Sequence, residues 1–179
     1  LATVCGLVAH CYTSAELSLF CLALKGEAVL RSAKRQRTLA AEDFFTGMLT
    51  TARRSDELLE AVRFPLAGRG QGCGFTEFSM RHGDFAICSV AVVAHASGLR
   101  VAVGGVADRP VARDWPALEG ESIDDALNEF AWALDARDSP HISAATRRHL
   151  VRQLGRQAIA QSRVQIELRR NAVTSWRPT

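Results

Sequence analysis

A chain of 179 residues, 47% hydrophobic and 23% charged, has the balance of a globular protein and enough length to bury a core. A net charge of +3 is too small to argue for nucleic acid, and no apolar run approaches the ~20 residues that a membrane span needs. Cys5, Cys11, Cys21, Cys73 and Cys88 form an odd set without a C-x-x-C pair, which argues against a disulfide framework or a structural zinc. Such cysteines read as small reduced hydrophobes in a cytoplasmic chain.

The chain opens on an apolar run, residues 1–11, without the basic leader of a signal peptide, and reads like the inside of a longer protein. His10 in that run reads as a satisfied core histidine. Ser14, with Glu16 after it, predicts a helix capped by the Ser14 hydroxyl. Leu17, Leu19, Phe20, Leu22 and Leu24 give that helix a broad buried face until Gly26 ends it. Glu27–Leu30 and Gln36–Leu39 read as paired strands around a basic turn, and Ala41–Phe45 as a short helix led by acidic residues. Glu57–Phe64 is a further strand, stopped by Pro65.

A Gly-rich stretch, 67–73, predicts a linker between a unit at 1–66 and a second at 74–161. The second unit starts with a short strand and the polar connection Arg81-His82-Gly83-Asp84, expected to be a turn with an Arg–Asp pair. No nucleophile turn of the G-x-S-x-G kind accompanies His82 and Asp84, so no catalytic triad is expected. Phe85–Ala96 is apolar almost throughout, as in a strand covered on both faces, and Leu99–Val106 returns beside it after a Ser97-Gly98 turn. Residues 110–116 lead to a loop ahead of the next helix.

A helix is expected from Ser122 to Asp135, with Ile123, Ala126, Leu127, Phe130 and Leu134 on one side. Another runs from Ser143 to about Gln161. Arg148, Arg152 and Arg156 form a stripe on it, read first as a solvated face, then as a subunit contact, and least as a nucleic-acid contact. Residues 162–179 form a tail with no assigned element.

Two blocks stand out together. Phe75, Glu77, Arg81, His82, Gly83, Asp84, Phe85 and Ala86 form F-x-E-x-x-x-R-H-G-D-F-A; Val101, Gly104, Gly105, Val106, Arg109 and Pro110 follow in V-A-x-G-G-V-x-x-R-P. In this order they resemble the FAD-binding medium subunit of molybdenum hydroxylases, the family of carbon monoxide dehydrogenase and xanthine dehydrogenase. The resemblance covers residues 1–161 and leaves no place for the family's N-terminal flavin lobe, so the chain looks N-terminally truncated. It implies an α+β fold: the C-terminal part of a flavin-binding α/β subdomain, then a three-stranded antiparallel sheet with helices.

The resemblance also implies a site. Thr3, Val4, Cys5, Gly6 and Leu7 match the loop that receives the flavin pyrophosphate, where backbone N–H groups and a helix start favour an anion. Glu16 matches an acidic position at the flavin, Leu59 the adenine side, and Thr76 a place where some members carry Lys. Asp84 and Phe85 match the turn beside the flavin ring. Cys5 stands where the family has Gly, which predicts a more crowded approach to the backbone, and Leu7 replaces a polar residue. Tyr12-Thr13 replaces a common Asp-Pro.

The implied function is an FAD-binding electron-transfer subunit. It would take electrons from a 2Fe-2S small subunit, fed by a molybdopterin-binding large subunit, and pass them to an acceptor. The chain itself would supply neither catalytic side chains nor metal ligands. The alternative is a flavin-less assembly subunit of the same complex. A basic binding module using the arginine helix is a distant third.

Overall fold

The computed structural model describes residues 3–175. The chain opens on a helix, α1 (Val4–His10), where the sequence predicts only an apolar run. Thr3 makes it: in extended conformation, its Oγ1 accepts the Gly6 N–H at 3.0 Å, satisfying one of the free donors of the first turn. Cys11, in the left-handed region at φ 53, ends the helix. His10 is exposed in its last turn, where a cation suits the C-terminal carbonyls, and is not a core residue. The next helix, α2 (Glu16–Ala23), has Ala15 at its N-cap and no side-chain cap, so the cap expected from Ser14 does not form.

The rest of the first lobe follows the predicted order, with one hairpin, at residues 45–51, that the sequence reading does not assign. Strands β1 (Glu27–Arg31) and β2 (Gln36–Ala40) pair antiparallel, α3 (Ala41–Phe44) follows, and β3 (Phe45–Gly47) pairs with β4 (Thr50–Thr51). β5 (Leu58–Arg63) completes a sheet in the order β2-β1-β5. Val8, Cys21, Leu22, Leu30, Phe44 and Phe45 share its core.

The second lobe is a four-stranded antiparallel sheet in sequence order: β6 (Gly72–Phe78), β7 (Cys88–His95), β8 (Gly98–Gly104) and β9 (Val111–Pro116). The α+β fold is the expected one, but the sheet has four strands instead of three, the fourth at a stretch to which the sequence reading assigns no strand. β9 pairs with β8 from Val111↔Val103 to Pro116↔Gly98. A proline is tolerated there because β9 is an edge strand. β7 starts at Cys88 instead of Phe85, so Phe85 remains in the preceding turn.

β7 is covered on both faces, as its unbroken apolar run predicts. Val90, Val92, Val101 and Val103 meet α4 (Glu121–Ala133) and α5 (Ala144–Ser175), while Ala91 and Ala102 meet Leu19 and Ala23 of α2. Helix α2 therefore lies between two cores, its Leu22 and Cys21 facing the first lobe. A helix buried on opposite sides is apolar around its circumference, which α2 is.

The arginine stripe is partly exposed, Arg156 most of all, and it also pairs with the neighbouring helix. It clasps α4: Arg148 lies over the Trp132 ring at 4.6 Å, Arg152 Nη1 donates to Asn128 Oδ1 at 3.0 Å, and Arg156 Nε donates to Asp124 Oδ1. The two steps of four on α5 match two steps of four on an antiparallel neighbour.

The stretch without a predicted element continues α5 as far as Ser175, and residues 176–179 lie outside the described residues. Its side chains cover the open edge of β6. The Phe75 N–H donates to Gln161 Oε1 at 3.1 Å, the Cys73 N–H to Gln165 Oε1, and Arg169 Nη1 donates to the Gln71 carbonyl at 3.0 Å. Four helical residues rise about 6 Å and two strand residues about 6.6 Å, so the two ladders stay in step. An edge that would otherwise offer unpaired N–H groups to another chain is closed. No helix among the described residues is long and apolar enough to cross a membrane.

Candidate functional site

α1 carries one end of the site. Thr3, Val4, Gly6 and Leu7 are exposed at its first turn. Cys5 does not crowd that turn: its Sγ points away to β5 and lies 3.7 Å from the Glu60 carbonyl. Gly6 has its own steric reason, because a Cβ there would stand 2.8 Å from the capping Thr3 Oγ1. Leu59, on the strand that α1 packs against, is half-buried against the same core as Val8.

β5 is held at its start by Glu57, which is buried and bound bidentately by Arg37, Nε to Oε1 at 2.7 Å and Nη2 to Oε2 at 2.8 Å. The Arg54 N–H adds a third bond at 2.8 Å. The Arg37 guanidinium, and after it the Arg54 N–H, draws the Glu57 carboxyl down to about 2. A depressed carboxylate contributes stability that is whole above its unfolded value, ~4.3, and is lost as pH falls through the folded one. We expect the midpoint of chemical denaturation to drop between about pH 5 and pH 2, and Glu57→Gln to flatten that slope while lowering stability at pH 7. A variant with the wild-type slope would show that other carboxylates set the acid response.

The other end of α1 leads to Tyr12, whose ring meets Phe85 edge-on, centroids 4.7 Å apart and planes at 65°. Phe85 is 64% exposed, a large aromatic left outside the core. The pair walls a cavity of about 420 Å3 that Met48, Gly105, Asp108 and Arg147 also line. A second cavity, about 440 Å3, shares Ile87, Ser139 and Arg147 and is reached by Arg81, Asp84 and His141. The polar turn is closed by the Asp84 N–H donating to the Arg81 carbonyl at 3.1 Å. The expected Arg81–Asp84 ion pair is not among the salt bridges of the described residues.

The sequence-derived residues thus fall into two groups at the two ends of one short helix: Thr3, Val4, Cys5, Gly6 and Leu7 with Leu59, and Phe85 with its neighbour Asp84. Glu16 is exposed in the first turn of α2, where its charge suits the helix start, and lines neither cavity. Thr76 lies apart, with Oγ1 donating to the Leu154 carbonyl of α5 at 2.9 Å. Arg147 was not foreseen as part of the site, and neither was Met48. Tyr12 drew notice only as a departure from a common pattern, although it is the chain's single tyrosine. Behind the wall, burial pushes the Cys88 thiol up to about 12 against the opposing pull of Arg147, which keeps it protonated and inert.

Residues 1–67 match the family of the FAD binding domain in molybdopterin dehydrogenase. The chain is 33% identical over 174 residues to the nicotine 6-hydroxylase medium subunit of Paenarthrobacter nicotinovorans, covering 89% of this chain and 60% of that one. It is 34% identical over 115 residues to the caffeine dehydrogenase subunit beta of Pseudomonas sp. (strain CBB1), covering 61% of this chain and 39% of that one. Its fold superposes on a chain of carbon monoxide dehydrogenase from Hydrogenophaga pseudoflava with a TM-score of 0.85 at 21% identity, over 92% of this chain and 61% of that one. The chain therefore spans 60% or less of the length of these two relatives.

Proposed function

We propose, for a chain that is a homologue of the medium subunits of molybdopterin dehydrogenases and carries their FAD-binding domain over residues 1–67, that it holds FAD as an electron-transfer subunit of such a complex. The observation that carries this reading is the arrangement along α1. One end is the exposed first turn, capped by Thr3 on the Gly6 N–H; the other leads to the aromatic corner of Tyr12 and Phe85 beside a cavity of about 420 Å3. The matched FAD-binding domain thus carries an aromatic-walled pocket, about 10 Å along α1 from the Thr3 turn.

When bound, the flavin supplies the redox chemistry, and the protein positions and tunes it. Thr3 fixes the first turn of α1 through the Gly6 N–H, and the residues of that turn, Val4 to Leu7, would lie against a bound pyrophosphate. The Cys5 side chain, turned toward Glu60, leaves that approach clear. Leu59 would offer apolar surface on the adenine side. Tyr12 and Phe85 would exclude water from one side of a bound ring. Partners that fit this role are an iron–sulfur subunit as electron donor and a molybdopterin-binding subunit that oxidises the substrate.

An absorbance spectrum of the purified chain, with and without added FAD and with its partner subunits present, tests the reading. We expect flavin bands that remain after desalting. A colourless chain that still joins the complex would replace this function with the assembly role. A colourless chain that joins nothing would remove both.

A further inference from the structure

Arg147 sits in the first turns of α5, on the side facing the end of the second sheet. Its Nη1 donates to two carbonyls, Ile87 at 3.0 Å and Gly105 at 2.7 Å. Those carbonyls lie at a break in the sheet: the β7–β8 register ends at Ser89↔Gly104, and Ile87 and Gly105 come just beyond it. Charge-assisted bonds to such groups are stronger than neutral ones.

Each carbonyl leads to one ring of the aromatic corner. From Ile87 the chain runs back through Ala86 to Phe85. Gly105 donates its own N–H to the Thr13 carbonyl at 2.8 Å, and Thr13 adjoins Tyr12. Gly105 allows this approach by its φ of +78, and a Cβ there would stand 2.8 Å from the Ile87 carbonyl oxygen. The two paths start at one guanidinium and meet again where Tyr12 touches Phe85.

We propose that Arg147 is a positioning residue that holds the Tyr12–Phe85 corner closed and so sets the wall against which a flavin ring rests. The second half of this statement depends on the function proposed above; the first does not. One nitrogen makes both bonds, so a lysine ammonium reproduces them in number, whereas methionine fills similar space and donates nothing.

The single tyrosine makes the clamp measurable without a cofactor, because the Phe85 ring shifts the proton resonances of the Tyr12 ring. Phe85→Leu gives the reference for an open corner. In Arg147→Met we expect the Tyr12 resonances to move to that reference while thermal unfolding stays cooperative, and in Arg147→Lys to remain near wild type. Tyr12 resonances unmoved in Arg147→Met would overturn the clamp. If Arg147→Met does not fold, Arg147→Gln takes its place with the same two readings. FAD affinity is titrated on the same proteins, and we expect Arg147→Met to bind roughly tenfold more weakly, the size of one lost charge-assisted bond. Equal affinity with a displaced Tyr12 would overturn the flavin-wall half. A wild-type chain that takes up no FAD would end the proposed function, while the Tyr12 comparison still decides the clamp.

Discussion

Gly74→Ala should cost about 4 kcal/mol, near the top of the range for a single substitution. A Cβ at position 74 would stand 1.9 Å from the Ala158 carbonyl oxygen and 3.0 Å from the Ser162 nitrogen. Both are backbone atoms of α5, so no flexible side chain can yield, and the helix itself must retreat. Such a retreat breaks more than one contact. The bonds from Phe75 to Gln161 and from Cys73 to Gln165 share one spacing, and a shift that opens one opens the next.

The readouts are the denaturant midpoint and amide exchange at Cys73 and Phe75, which should lose protection ahead of the strand interior. Gly68→Ala is the control: its Cβ would meet only Gln71 Oε1 at 3.8 Å, and it should unfold within about 0.5 kcal/mol of wild type. Gly74→Ala unfolding at the wild-type midpoint would mean that α5 does not need its close seat on β6.

The elements that sequence reasoning found are those whose pattern is local. β1 and β2 carry their own turn, β5 is bounded by Pro65, and β7 and β8 read as strands because nearly every residue in them is apolar. α1 was missed because a short apolar run containing Gly6 has weak helix propensity; the helix depends on the Thr3 cap, a signal that was present and unread. β9 was missed because prolines bracket it, which hides an edge strand. Of the candidate site, Thr3 to Leu7 and Phe85 were proposed from their resemblance to a family, and the structure shows them at the two ends of α1. Tyr12 and Arg147 are joined to Phe85 by contacts across long sequence separations, which no local pattern encodes.

Arg100 is the extreme of that illegibility. A lone arginine in the strand Gly98–Gly104 looks like an outward-facing residue, yet its side chain is only 3% exposed. It lies between the lobes. Nε donates to the Leu22 carbonyl at 3.2 Å, Nη1 to Asp114 Oδ2 at 2.8 Å, and Nη2 to Glu42 Oε1. One guanidinium therefore ties β8 to α2, to β9 and to the start of α3. Glu42 and Asp114 are 60% and 55% exposed, so water can take them back if the arginine is lost. The Leu22 carbonyl, on a buried residue, has less access to water.

Arg100→Met should therefore cost about 3 kcal/mol, less than breaking an ion pair buried on both sides. Lysine is not a substitute, because one ammonium cannot reproduce three bonds that leave from three different nitrogens. The loss should appear first between the lobes, as faster proteolysis in the exposed stretch 64–70 and as movement of the Tyr12 resonances. The second readout follows from position: α2 begins just after Tyr12, and a helix freed from the second sheet no longer fixes Tyr12 against Phe85. Arg100→Met melting as wild type, with Tyr12 unmoved, would mean that the apolar contacts of Leu19 and Ala23 with Ala91 and Ala102 suffice to dock the lobes. A lower melting point with Tyr12 displaced would make the lobe interface part of the site, since the aromatic corner would then depend on a bond made at the far side of α2.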